Sequence, residues 1–518
     1  MSAVLIPQCP RVLTLDQKAA ITLQRKTDFN IFGREILKIR PKSGGYSVPL
    51  VMNEAQLFLH NKIEEQRLSI GRVRAIVLKG RQQGVSTYTE GRFYWKITHR
   101  RGVKAYILTH EQPATDNLFG MVDHFWEEAP KDYRPHTGKA NAKELVFDAL
   151  NSQYAVSTAG SKDTGRSGTA QYLHGSEVGF WANAASHMAG IGQVVPDEPD
   201  TEIVLESTAN GTANLFHELW TMAVKGKSEY MPVFIPWFWQ REYRRTPPAG
   251  FELTTEEVDY REAFELDLDQ MAWRRNKIDT DFRGDTSLFD QEYPASAELA
   301  FASSSPRALI KFGPVARARR TRGLEAVGQR IWGVDPAEYG DDETSIMERQ
   351  GRVSRKIAGW GQCGTMETVG RIGVLIDKLK PGERPDIINV DAGGIGTGVA
   401  DRLAEEGYPV SRVLFGESPR DKDQYVLCRD ELWCEMRDWL EDYPASIEDN
   451  DDVAAQLMSV QYTYDSKRRT KLESKEKMKE RGLHSPDDAD ALALTFARGS
   501  VIKPQDYAAF RRLMGHGR

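Results

Sequence analysis

The sequence predicts two α/β domains in tandem, the first on a parallel sheet and the second on a mixed one. Three observations carry that expectation. From "RVRAIVL" to "TEIVLEST", short β-rich runs alternate with helical stretches, the order that builds a parallel sheet. Near 304–328, "SSSPRALIKFGPVARARRTRGLEAVGQR" loses apolar periodicity and gains Arg, Gly and Pro, the marks of a linker. Beyond it, three successive strand patterns lead into alternating helices and strands.

Length agrees: 518 residues exceed one ordinary core. The chain is 40% hydrophobic and 28% charged, with no low-complexity tract and no obvious repeat. No apolar run approaches the roughly 20 residues of a bilayer span, and "MSAVLIPQCPRV" lacks the plan of a signal peptide. The four cysteines (Cys9, Cys363, Cys428, Cys434) show no C-x-x-C spacing, so reduced thiols and no zinc site are expected. A net charge of −6 argues against a surface that coats nucleic acid throughout, but it suits carboxylates gathered around metal ions.

In chain order, residues 1–60 read as a polar, helical arm and 61–303 as the first domain. Its strands are expected at 73–78, 103–109, 170–174 and 202–207, followed by an aromatic and charged stretch. After the linker, 329–518 form the second domain. "RIWGVD" is its first strand, and a hairpin turns at Gln350-Gly351. A helix over 365–380, the strand "DIINVD", another helix and the strand "PVSRVLFG" follow. Three leading strands and then alternation is the order of a ribonuclease-H-like fold.

The first chemistry lies in "VLKGRQQGVST", residues 77–87. A phosphate-binding P-loop, G-x-x-x-x-G-K-[ST], cradles phosphates with backbone amides and reaches their outer oxygens with its Lys. Here Gly84 fills the second glycine position, Val85 stands where Lys is usual, and Lys79 occupies the place of the first glycine. A strand precedes the loop and a helix follows, which aims free N–H groups at a phosphate. Lys79 and Arg81 are the cations that can replace the missing Lys, and Ser86 takes the Mg²⁺-binding position. The expected ATP site is therefore Lys79, Gly80, Arg81, Gln82, Gln83, Gly84, Val85, Ser86 and Thr87.

An ATPase of the strand-inserted class also needs a carboxylate at another strand end to activate water. "AQYLHGSEVGFW" offers Ser176-Glu177 where Asp-Glu is usual, so Glu177 is the expected base and metal affinity leans on Ser86. A third strand ends in "ESTANG", where Ser207 and Thr208 are placed to sense the terminal phosphate.

The second domain places acids at three separated segments. Asp335 ends its first strand and Asp391 its fourth, while "SPDDADALALTFA" opens a helix with Asp487, Asp488 and Asp490. Two-metal hydrolysis needs carboxylates converging on two ions, and hard oxygen ligands suit Mg²⁺ or Mn²⁺. Asp487 and Asp490 share a helix face and Asp488 turns aside, which leaves the choice between Asp487 and Asp488 to helix register. "DAGGIGTGVADRL" resembles a dinucleotide fingerprint, but Asp401 takes the place of the last glycine, so it reads as a tight strand-to-helix turn. The basic run at 465–481 is expected to form a hairpin and loop beside double-stranded DNA, whose dense charge needs only a few Lys and Arg for a sequence-independent grip.

Taken together, "GRQQGVST", "HGSEVGFW", "ESTANG", "EYPASAELAF" and "SKEKMKERGLHSPDDADALAL" resemble the large terminase subunit of tailed bacteriophages. The resemblance runs over most of the chain. It implies an N-terminal P-loop ATPase joined to a ribonuclease-H-like nuclease, with ATP and Mg²⁺ in the first domain and Mg²⁺ or Mn²⁺ in the second. It implies Gln56 in "NEAQLFLH" as an adenine reader and Arg166 in "DTGRSGTA" as a finger reaching a neighbouring subunit's ATP, worth about 10³–10⁵ in rate. It also implies Asp487 as a metal ligand with Asp490 second, and Lys475 beside the DNA. The partners it implies are a portal protein, a small terminase subunit and a pentameric ring, assembled in the host cytoplasm without a membrane. The tail "FRRLMGHGR" is a docking candidate. A helicase or remodeller would share only the ATPase, and a transposase or integrase only the second acidic domain. A structural virion protein would use neither.

Overall fold

The computed structural model describes residues 15–141, 143–159, 169–182, 184, 188, 190, 194–212, 214–302, 307–340, 342–442 and 444–498. They divide into two compact units. The first runs to residue 241 apart from the 211–213 stretch, which joins everything from 242 onward in the second.

The first unit is built on an eight-stranded sheet. Met231–Ile235, Val73–Lys79, Glu202–Ser207, Tyr172–Ser176, Lys104–Thr109 and Ser152–Thr158 lie side by side and parallel. Glu144–Phe147 and Lys139–Asn141 then finish that edge antiparallel. All seven residues of Val73–Lys79 are buried, as a strand covered on both faces requires. The strand Glu202–Ser207 is inserted between Val73–Lys79 and Tyr172–Ser176, so three strand ends with polar residues meet at one edge. Parallel sheets bind ligands at that edge.

The helix Val85–His99 is fastened to the inserted strand near both ends. Ser86 Oγ donates to Glu206 at its start, and fully buried Arg92 and Lys96 pair with Glu202 further along. Burial opposes ionisation of Glu202, but Arg92 and Lys96 hold it well below the usual carboxylate range.

The second unit carries the five-stranded sheet Val353–Trp360, Thr344–Gln350, Arg330–Asp335, Ile387–Asp391, Val410–Val413 in spatial order. The first three are antiparallel neighbours and the last two run parallel to Arg330–Asp335, the ribonuclease-H-like arrangement. Trp332, Val334, Ile346, Ile388, Val390 and Val399 belong to one core cluster. The helix Asp487–Leu494 belongs to another, with Trp433 and Met436. Gly333 permits its close seat on the sheet: a Cβ there would lie 1.9 Å from the carbonyl oxygen of Ala491.

Residues 242–302 cluster with this second unit, whereas the sequence pattern assigned them to the first. Part of the expected linker is helix, Phe312–Arg320, which packs on Thr255–Ala263. Its buried face is Gly313, Pro314, Val315, Ala316 and Ala318, small residues that leave almost no apolar period to read.

Candidate functional site

In the first unit the loop of residues 80–84 is held by its own hydrogen bonds and backbone conformation. Gln82 (φ 54°) and Gly84 (φ 81°) adopt the left-handed conformation, and Gly84 caps Val85–His99 without a side-chain hydrogen bond. Gly80 N–H donates to Gln83 Oε1 at 2.8 Å, and Gln83 Nε2 donates to the Pro236 carbonyl at 2.6 Å. Gln56 is buried, with Oε1 accepting from Asn53 N–H at 2.9 Å and Nε2 donating to the Gly84 carbonyl at 2.8 Å. Its amide therefore braces the loop. Thr87 Oγ1 contacts the Met121 sulfur at 3.8 Å, and Val85 is buried.

Of the two candidate cations, Lys79 is buried and Arg81 exposed. Lys79 Nζ lies 2.7 Å from Glu177 Oε1 and 3.6 Å from Glu206 Oε2. Burial opposes its charge, but the two glutamates raise its pKa. Glu177 follows its strand in a left-handed conformation (φ 52°), a strained turn of the kind that gathers at active sites. Its Oε2 accepts from Thr208 N–H at 3.2 Å and from Ser207 Oγ at 3.4 Å, so the third strand end contacts the expected base directly. Among the described residues the fully buried Thr208 hydroxyl has no hydrogen-bond partner.

Glu206 is the residue that motif reading passed over. It is fully buried, and its Oε1 accepts from Ser86 Oγ at 2.5 Å and from Ser176 Oγ at 3.1 Å. His174 Nε2 lies 3.3 Å from the same oxygen, and His174 Nδ1 lies 2.6 Å from Glu90 Oε1. Burial opposes charge on both groups. Lys79 and His174 nevertheless hold Glu206 well below the usual carboxylate range, while Glu206 and Glu90 lift His174 to about 9. The signal was present: "IVLEST" puts a carboxylate directly after three apolar residues of a buried strand. Arg166 lies outside the described residues.

In the second unit the acids gather around a lysine. Lys475 Nζ lies 3.1 Å from Asp335 Oδ2, 3.3 Å from Asp490 Oδ2 and 3.8 Å from Asp487 Oδ1. Asp391 ends the neighbouring strand, and its Oδ1 accepts from Gly393 N–H at 3.0 Å. The turn beyond it is tight, since a Cβ on Gly396 would sit 1.8 Å from the Asp391 carbonyl. Burial, reinforced by neighbouring carboxylates, pushes Asp335 up to about 7 and Asp487 up to about 8. Burial also raises Asp391.

The helix sorts its three acids. Asp487 Oδ2 accepts from Glu343 N–H at 2.8 Å, leaving Oδ1 toward the lysine. Asp488 faces elsewhere, accepting from Ser345 Oγ at 2.6 Å, Lys356 Nζ at 2.8 Å and Gln456 Nε2 at 3.2 Å. Asp490 is fully buried and receives Arg429 Nε at 2.9 Å and Trp433 Nε1 at 2.7 Å, so it also anchors the helix. Burial opposes its charge, yet Arg429 and Lys475 lower its pKa.

Among the described residues no group of three or more His, Cys, Asp or Glu side chains is placed to hold a metal ion as it stands. The Lys475 ammonium is the cation facing these acids, whose carboxylates are hard oxygen donors of the kind Mg²⁺ and Mn²⁺ accept. Further along the chain from the sheet, Tyr462–Tyr464 and Thr470–Leu472 pair as a hairpin with Lys467 and Arg468 exposed at its turn.

No family model matches this chain, and neither does any curated protein. Among solved structures, the similarity is to large terminase subunits. The nuclease domain of the large terminase subunit of bacterial virus Sf6 is 22% identical, covering 37% of this chain and 100% of that one with a TM-score of 0.33. The large terminase of bacteriophage HK97 is 12% identical over 91% of this chain and 99% of its own, with a TM-score of 0.41. The large terminase ATPase domain of Thermus phage P74-26 is 16% identical over 47% of this chain and 93% of its own, at 0.32. No helix among the described residues is long and apolar enough to cross a membrane.

Proposed function

We propose that this chain is the large subunit of a viral genome-packaging motor. In that reading ATP hydrolysis drives double-stranded DNA into a procapsid, and a two-metal endonuclease cuts concatemeric DNA. The observation that carries it is the meeting of Lys79, Ser86, Glu177 and Thr208 at the ends of adjacent parallel strands and the start of one helix. Two of them touch Glu177 directly, and that arrangement fits hydrolysis of a phosphoanhydride.

ATP would lie along the loop of residues 80–84, with backbone N–H groups on its phosphates and Lys79 supplying the cation absent at Val85. Glu177 would orient the attacking water and accept its proton. Ser207 and Thr208, bonded to Glu177, would register loss of the terminal phosphate and pass it to the DNA grip. Ser86 would hold the nucleotide's Mg²⁺.

In the second unit Asp335, Asp391 and Asp487 would hold the nuclease ions, with Asp490 fixing the helix behind them. Mg²⁺ or Mn²⁺ there supplies a nucleophilic hydroxide and charge neutralisation at the scissile phosphate. Lys475, and the hairpin at 462–472, would face the DNA backbone. Gln56 as adenine reader, Arg166 as a trans finger, a pentameric ring, the portal and a small terminase subunit complete the proposal.

The test is DNA-stimulated ATP hydrolysis and Mn²⁺-dependent plasmid cleavage on one preparation of the full chain. Both activities are expected. Hydrolysis with strand separation and no cleavage would favour a helicase, and cleavage without hydrolysis a transposase or integrase.

A further inference from the structure

Glu206 has no assigned task in that mechanism, yet it touches Ser86 and faces Lys79, two residues assigned to the nucleotide. Register places it opposite Val77 on one neighbouring strand and Ser176 on the other. Position 176, where a metal-side carboxylate is usual in this class of loop, holds a hydroxyl. That hydroxyl and the Ser86 hydroxyl both donate to Glu206 Oε1, at 3.1 and 2.5 Å. The carboxylate missing from one strand is therefore present on the next, one side chain away.

A second observation points to a ligand. Glu206 is fully buried, but among the described residues its Oε2 has no hydrogen-bond partner, and the Lys79 ammonium stands off at 3.6 Å. Leaving a buried carboxylate oxygen idle costs free energy that an arriving cation would remove. A purely structural glutamate on the same strand behaves differently. Glu202 Oε1 accepts from Arg92 Nη2 at 2.9 Å and pairs with Lys96 Nζ at 2.8 Å, while Oε2 accepts from Arg92 Nε at 2.7 Å. Two glutamates four positions apart, on the same buried strand, thus differ in one respect: only one keeps an oxygen in reserve.

We propose that Glu206 is the metal-side carboxylate of the nucleotide site, replacing across one strand the group that Ser176 cannot supply. It would position the divalent ion of bound ATP together with the Ser86 and Ser176 hydroxyls. This rests on the nucleotide reading above.

The experiment measures binding of a fluorescent N-methylanthraniloyl ATP by the full chain, in Mg²⁺ and in EDTA, with Mn²⁺ binding followed by electron paramagnetic resonance. The wild-type chain should bind the analogue at least about tenfold more tightly with Mg²⁺. Glu206→Gln should lose that gain and keep its affinity in EDTA, because Lys79 and the loop remain. Adding Ser176→Asp to Glu206→Gln should restore the gain, which a merely structural Glu206 does not allow. Should Glu206→Gln fail to fold, Ser176→Asp in the otherwise native chain should still tighten Mn²⁺ binding. No change there would overturn the proposal. So would a Glu206→Gln chain that keeps the full Mg²⁺ gain, or one that weakens equally in both buffers without rescue. A wild-type chain that binds no analogue at all would remove the nucleotide reading itself.

Discussion

Both units set a lysine among acids, Lys79 buried and Lys475 half-buried, and the two differ in what they face. In the first unit Lys79 faces Glu177 and Glu206, whose remaining oxygens are drawn toward serine hydroxyls, a threonine N–H and His174. Lys79 and His174 keep Glu206 ionised. In the second, Lys475 alone faces Asp335 and Asp487, which burial lifts to about 7 and about 8. One ammonium cannot neutralise that set. The two sites therefore differ in what is left over: the first leaves one oxygen of Glu206 without a hydrogen-bond partner among the described residues, and the second leaves two acids to one lysine.

The comparison breaks most sharply at Glu177. Glu177→Gln should reduce ATP turnover by about 10²–10⁴, the usual worth of a positioned general base. Analogue binding and plasmid cleavage should persist. Steady-state hydrolysis alongside both controls checks it, and near-native turnover would take the base role away from Glu177.

A smaller effect separates the units by packing. Gly333→Ala drives a Cβ against the Ala491 carbonyl and should shift the helix bearing Asp487, costing about 1–3 kcal/mol. Cleavage should fall with the melting temperature of the second unit while ATP hydrolysis holds. An active, unshifted Gly333→Ala chain would show that the helix tolerates displacement.

Much of this was legible in the sequence, and the exceptions have physical causes. Strands expected at 73–78, 103–109, 170–174 and 202–207 appear as Val73–Lys79, Lys104–Thr109, Tyr172–Ser176 and Glu202–Ser207. Each is an apolar run ended by polar residues. Ser152–Thr158 escaped because its sequence, SQYAVST, mixes small polar residues into a short strand. The helix Phe312–Arg320 escaped because its arginines pair with acids far along the chain, Arg317 with buried Asp259 and Arg319 with Asp449 and Asp451, and its inner face is nearly featureless. Asp488 was readable from helical spacing alone, and it does turn away from Asp487. Glu206 stood out only as a carboxylate in "IVLEST"; its partners did not, because they depend on which strands are neighbours, and sequence order does not state that.

A third buried acid, Asp290, has its cation at the limit of an ion pair. Asp290 is buried, its Oδ1 has no hydrogen-bond partner among the described residues, and Arg274 Nη2 is 3.9 Å away. Burial pushes it up to about 7 from an ordinary value of 3.8. The folded chain therefore keeps a proton that the unfolded chain releases, so stability falls as pH rises from about 4 to about 7 and is then level. Asp290→Asn should be more stable than wild type at pH 8, by up to about 4 kcal/mol, with the gap closing near pH 4. Paired denaturant melts across that range check it, and a gap that widens toward low pH would reverse the assignment.

The central claim is that one chain carries two separable chemistries, and Asp335→Ala tests it most directly. Supercoiled plasmid in Mn²⁺ and DNA-stimulated ATP hydrolysis would be followed on the same preparation, with Asp391→Ala and Asp487→Ala as companions. The account predicts no cleavage by any of the three and hydrolysis equal to wild type, since losing one carboxylate removes an ion-positioning ligand from the second unit only. Full cleavage by Asp335→Ala would contradict it.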